Sequence, residues 1–189
     1  MNRRTYLQST AGLATASTLA LAGCTGSDTG TLATHVSDQP GDIGDFESCI
    51  VTISEIEIKP VEGDAITKSV DDVEADLVEL QGDSQQLVDE SELEAGEFTY
   101  VHLEITNVDA TLNDGGEANV DTAGNAGLKF ETVTIDGEQS DTFEIRSDER
   151  TSFTADFMPV KQGQSGGYVI KPVADEVKII YDTVETTEA

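Results

Sequence analysis

From about residue 31 onward, apolar and polar residues alternate with a period of two, the spacing of strands rather than of helices. The clearest case is Glu97–Ala110, where Val101, Leu103 and Ile105 fall on one face and Tyr100, His102 and Glu104 on the other. Leu32–Val36 predicts a first strand, ended by Ser37-Asp38-Gln39-Pro40-Gly41. Cys49–Val61 predicts a long, β-branched strand whose alternation slips between Ile53 and Ile56, as it does at a bulge. Ala75–Leu80, Thr132–Ile135, Phe143–Ile145, Ser152–Phe157, Tyr168–Val173 and Val177–Tyr181 extend the series, punctuated by Gly, Asp, Asn and Pro. Asn113-Asp114-Gly115-Gly116 and Asp136-Gly137 read as turns. The one helical signal is Ser91-Glu92-Leu93-Glu94, with Ser91 as an N-cap before an acidic first turn. Some eight or nine short strands with almost no helix predict an all-β fold, an antiparallel Greek-key sandwich of immunoglobulin-like or transthyretin-like outline.

The first 23 residues break this pattern. Arg3-Arg4-Thr5-Tyr6-Leu7 resembles a twin-arginine export signal. Ala11–Gly23 is apolar and uncharged, yet shorter than the roughly 20 residues a spanning helix needs. A basic start, a short apolar run and a small-residue exit form the secretory pattern, which is removed on maturation. The exit, Leu21-Ala22-Gly23-Cys24, resembles the lipobox of bacterial and archaeal lipoproteins, in which the thiol takes a lipid. Two acyl chains hold a protein stably on a membrane where one does not. The expected organisation is a signal peptide over 1–23, a lipid-anchored linker over 24–30, a β-sandwich over 31–181 and a disordered tail over 182–189. The expected location is the outer face of the cytoplasmic membrane.

Charge sharpens the picture. The chain has 38 Asp and Glu against 10 Lys and Arg, a formal net charge of −28 and no Trp. The acids are spread along the chain, which marks a solvated surface rather than an interaction tail. This composition resembles that of proteins from extreme halophiles. In molar salt the Debye length is about 3 Å, so the carboxylates barely repel one another. Nothing neutralises phosphates, so nucleic-acid partners are not expected.

Chemistry-bearing motifs are few. His35 and His102 are distant in sequence, and His102 falls on a sheet face beside Tyr100. Neither a Gly-x-Ser-x-Gly elbow nor a phosphate-binding Gly loop is present, and one thiol with two scattered histidines makes no zinc site. With Cys24 lipidated, Cys49 is the one remaining thiol and reads as a buried filler. Acid-rich loops offer a weak calcium site: Asp38, Asp42 and Asp45 in one, Asp114, Glu117 and Asp121 in another. Their spacing is not that of an EF-hand, and plain solvation by hydrated cations is the expected reading; no cofactor is expected.

Val36-Ser37-Asp38-Gln39-Pro40 resembles the strand-ending "TDAP" opening of the family called domain of unknown function 4382. Asp76-Leu77-Val78-Glu79-Leu80, Ala95–Leu103 and Tyr168-Val169-Ile170-Lys171-Pro172-Val173 resemble its later landmarks, in order. Gln39 and Phe98 depart from its usual residues. The resemblance implies a β-domain of secreted and lipid-anchored proteins and brings no activity. The expected function is a non-enzymatic, membrane-tethered binding or interaction module, with a cell-envelope glycan or protein as partner. The alternatives are an envelope-spacing lipoprotein and a hydrolase using acidic residues, such as a glycosidase with paired carboxylates.

Overall fold

The computed structural model describes residues 28–123, 127–163, 166–173 and 177–183. The export-signal residues Arg3 and Arg4 and the lipidation residue Cys24 lie outside them. Thirteen strands appear in the described residues: β1 (Thr29–Asp38), β2 (Phe46–Pro60), β3 (Ile66–Asp76), β4 (Gln86–Glu94), β5 (Gly96–Leu112), β6 (Val120–Thr122), β7 (Leu128–Phe130), β8 (Val133–Ile135), β9 (Glu138–Ser140), β10 (Phe143–Ile145), β11 (Glu149–Lys161), β12 (Tyr168–Pro172) and β13 (Lys178–Thr183). The one helical element among them is a single 3-10 turn, Ile43–Asp45. None of the described helices is long and apolar enough to cross a membrane.

Two sheets form. One runs β4-β1-β11-β13-β8-β9, with β12 beside the second half of β11 and β6 beside β12; the other runs β10-β5-β2-β3, with β7 also on β5. The all-β, two-sheet reading holds. The first sheet is mixed rather than wholly antiparallel, because β1 pairs with β11 in parallel, Leu32 opposite Thr151 through Asp38 opposite Phe157. That pairing places β1 and β11 at the centre of the molecule. Every residue of β1 from Leu32 to Asp38 is buried, on both faces. Because β1 is covered on both sides, Ala33, His35 and Ser37 on its other face are buried along with Leu32 and Val36, polar residues included.

Between the sheets, burial follows the period-two pattern: Val51, Ile53, Ile56 and Ile58 from β2 and Val101, Leu103 and Ile105 from β5 are enclosed. The inward series of β2 skips from Ile53 to Ile56 through a bulge, where the strand shifts register against both β3 and β5 between Ile53 and Glu55. A chain of rings runs through this core. Phe98 stacks near Phe143 at 5.7 Å, Phe143 meets Phe153 at 5.8 Å, and Phe130 meets Phe153 at 6.1 Å and Phe157 at 6.0 Å. Each enclosed ring contributes about 1.5–3 kcal/mol by leaving water. Among the described residues the core lies between Leu32 and Ile179, all of it within a chain beginning at Thr25.

Three local expectations are corrected. Ser91–Glu94 is not a helical turn but the end of β4, with Ser91 and Leu93 inward. Ser91 caps nothing; its hydroxyl donates to Asp89 at 2.5 Å. Ala75–Leu80 is a strand only through Asp76, after which Leu77–Leu80 turns. Asp76 drives that turn, since its Oδ1 accepts from the amides of Cys49 and Val78, each at 3.0 Å. The Asp136-Gly137 turn is present, with positive φ at both residues (52° and 86°), and joins β8 to β9. β1 begins at Thr29, so Thr29 and Gly30, read from sequence as linker, already pair with Glu94 and Leu93.

Candidate functional site

The two ends of the sandwich differ. The chain enters at one of them: the Asp28 carbonyl accepts from the Ala95 amide in the β4–β5 turn, at 2.8 Å. Nine strand steps of about 3.3 Å carry β1 some 30 Å to Asp38 at the other end. There the loops after β1, β3, β5 and β11 converge. Asp38 donates its amide to the Leu80 carbonyl at 3.0 Å, Asp42 to Pro159 at 2.8 Å and Asn113 to Asp45 at 3.0 Å.

Asp38 is the exceptional residue of this end. It continues the inward series Leu32, Thr34, Val36, so its side chain turns between the sheets, and only 2% of it is exposed. Neither carboxylate oxygen has a hydrogen-bond partner among the described residues. A buried carboxylate without partners is costly to ionise. Burial first, and the neighbouring Asp156 second, push its pKa up to about 7. Asp156 is provided for: Ser37 Oγ donates to its Oδ1, and Gln39 Nε2 to its Oδ2 at 3.0 Å. Asp38 contributes to the wall of an open pocket of about 320 Å³, with Pro40, Gly41, Ile43, Gly44, Gln81 and Gly82, while both its oxygens lie sealed just beneath that wall.

The other acidic residues expected as calcium ligands are engaged elsewhere. Asp42 Oδ2 accepts from the Lys161 amide at 2.6 Å. Asp45 Oδ2 accepts from Tyr168 Oη at 2.7 Å and from Lys161 Nζ at 3.2 Å, and these hydrogen bonds hold its carboxyl below the usual range. Asp114 Oδ1 accepts from the Gly116 amide at 3.0 Å, closing its own turn. Glu117 pairs through its backbone with Thr111, and Asp121 lies exposed in β6. The two acidic loops do meet, since Asp45 and Asp114 line one shallow hollow of about 260 Å³. Lys161, which also lines it, answers that charge. Among the described residues, no three His, Cys, Asp or Glu side chains are placed to share a metal ion.

The histidines are separated as well. His35 faces outward from the first sheet opposite Thr154, and burial, then Arg150, lower its pKa. His102 is half-buried on the outer face of the second sheet, opposite Glu57 and Lys129. Next to it Tyr100 Oη donates to Glu57 at 2.7 Å, and Lys129 Nζ stands 3.9 Å over the Tyr100 ring. Cys49 is free and fully buried; burial, then Asp76 and Asp38, push its thiol up to about 12.

At the entry end, a second cleft of about 610 Å³ lies between the β2–β3 and β4–β5 turns. Its floor includes Ile66, Leu93 and Phe98, and its rim Glu62, Glu92, Glu94 and Glu97. All four glutamates are exposed to solvent, without the apolar enclosure that keeps a general acid protonated.

The Asp38 pocket is what the sequence reasoning half found. It named the residue, as one of six in two loops, but had no signal that Asp38 alone would turn inward. Comparison with curated proteins gives no match. The model of one family spans residues 29–172, from the start of β1 to the end of β12. The chain therefore belongs to the family described as a domain of unknown function, DUF4382.

Proposed function

We propose that this protein is a lipid-anchored, extracytoplasmic binding domain of a salt-adapted cell, non-enzymatic, with its ligand site in the Asp38 pocket. The observation that carries the reading is the pairing of an unpartnered, buried carboxylate with an open pocket, at the end opposite the chain entry. A protein keeps such a group against its own stability where the group serves a site. The pocket volume falls at the lower end of the range for small-ligand sites, about 300–1,000 Å³.

The anchor reading rests on the N-terminal sequence and is consistent with the entry geometry. Four residue steps from Cys24 to Asp28 reach at most about 14 Å. A lipid on Cys24 would hold the β4–β5 end near the membrane and leave the Asp38 end facing outward. The glycosidase alternative has less support: its best cleft is the glutamate-rimmed one, which would then face the membrane and whose acids are all exposed. The spacer alternative leaves the Asp38 carboxylate without a use.

Two measurements test the proposal. In the source cell, Cys24→Ser should release the protein from membranes into the medium, and Arg3→Lys with Arg4→Lys should retain it inside. If both variants stay on the membrane, the anchor reading falls. Melting of a chain beginning at Thr25, in molar KCl with a panel of cations, amines and envelope sugars, tests binding. A ligand of the folded state raises the melting temperature with its concentration. A panel that leaves it unmoved favours the spacer.

A further inference from the structure

Resting on the binding reading above, the chemistry of the pocket narrows what it takes. We infer that the Asp38 pocket receives a nitrogen cation, an ammonium or guanidinium group, carried on an aliphatic stem. Three features of the site point there. First, both Asp38 oxygens lack a donor among the described residues, and the enclosed carboxylate can only accept once ionised. An ammonium brings three N–H donors and a guanidinium a two-pronged fork, either of which satisfies both oxygens with one positive charge.

Second, a bare metal ion fits poorly. Calcium takes six to eight oxygens, several of them carboxylate. Asp38 is the one acid in the pocket wall, and among the described residues no three ligand-type side chains converge. Third, the space is wrong for an ion and right for a short chain. At about 30 Å³ per water, a pocket of about 320 Å³ holds some ten waters, most of which an ion would leave in place. Pro40 and Ile43 offer apolar wall, while Gly44 and Gly82 carry no side chain to fill it. An alkyl stem would lie against the first two, and its charged end would draw the sealed Asp38 carboxylate round to face the pocket. The same chemistry is presented by a free alkylamine and by a lysine or arginine side chain of a protein partner.

The test is a titration of the uniformly 15N-labelled chain beginning at Thr25, followed at the amides of Gly41, Gly44 and Gly82. The probes are n-butylammonium, n-butylguanidinium, n-butanol as the neutral match, acetyl-Gly-Lys-Gly-amide, acetyl-Gly-Arg-Gly-amide, calcium chloride and glucose. Saturable shifts with the butyl cations and not with butanol, weakened at least tenfold in Asp38→Asn and unchanged in Asp45→Asn, establish the inference. Equal binding of the capped peptides identifies a protein side chain as an accessible source; butyl cations binding alone identifies a small molecule. Equal shifts with butanol, or equal affinity in Asp38→Asn, overturn the inference. If calcium or glucose alone moves these amides, the pocket binds but the nitrogen-cation assignment is wrong. If nothing in the panel moves them, both the assignment and the binding reading fall.

Discussion

Replacing Asp38 by Asn keeps the shape of the side chain and removes its ability to ionise, and the pH dependence of the effect follows from burial. Below pH 3.8 the Asp38 carboxyl is protonated in both the folded and the unfolded chain, so the substitution changes little; either neutral group is left without a partner. Above pH 3.8 the unfolded chain ionises while the folded one, with its pKa at about 7, does not. The unfolded state then binds fewer protons, and stability falls as pH rises. The loss runs at roughly 1.4 kcal/mol per pH unit and levels off above about pH 7, at roughly 4 kcal/mol in total. Asp38→Asn escapes it. Urea unfolding at fixed molar salt, at pH 4, 5.5, 7 and 8.5, should show the two chains nearly equal at pH 4. The variant should be more stable by about half the total at pH 5.5 and by most of it at pH 7 and above. His35 is present in both chains and cancels in the difference, whereas Cys49 feels the Asp38 charge but titrates mostly above this range. A difference that stays flat within about 0.5 kcal/mol across this range would refute the claim that Asp38 is an unpartnered, buried acid.

Phe130→Ala removes the ring that joins Phe153 and Phe157 and should cost about 3–5 kcal/mol, read as a lower urea midpoint; a loss below about 1 kcal/mol would mean the ring cluster is not the centre of the core. The Cys49 thiol, buried and pushed up to about 12, should resist a thiol-specific disulfide reagent at pH 8 until the chain unfolds; prompt labelling of folded protein would show the site open. The formal charge of −28 is met, among the described residues, by few ion pairs, those of Arg146, Arg150, Lys129 and Lys161, nearly all exposed and individually weak. The melting temperature should therefore fall steeply as KCl drops from molar to about 0.1 M, and a flat profile would remove the salt-adapted reading.

What could be read from the sequence depended on how each strand meets water. β2 and β5 face the core on one side and solvent on the other, so their alternation, and even the slip at Ile53, was visible. β3 was missed over Ile66–Val73 because it is an edge strand whose side chains are nearly all exposed or half-exposed, leaving little hydrophobic contrast. β4 misled for a geometric reason. Its register against β1 shifts between Thr34 and His35, and the bulge places Val88 and Ser91, three residues apart, on the inner face. The bulge breaks the period of two just before Ser91, and Ser91 ahead of acidic residues then resembled a helix cap. The acidic loops were legible as loops, whereas the inward turn of Asp38 depended on the register of β1 against β11, set by residues more than a hundred positions away.

That register also governs when the protein can fold. Ser37 and Asp156, neighbours across the β1–β11 pairing, are 119 residues apart in the chain. At about 5–20 residues per second of synthesis, β1 waits on the order of ten seconds for the strand it pairs with. Until then β1 has only β4 beside it, and the edge that takes β11 stays unpaired. Topology of this kind gives slow folding, in milliseconds to seconds after release, and leaves one edge of β1 open to wrong partners until late in synthesis. If the chain is exported folded, the meeting of its first strand and its eleventh would set the earliest moment at which it could leave.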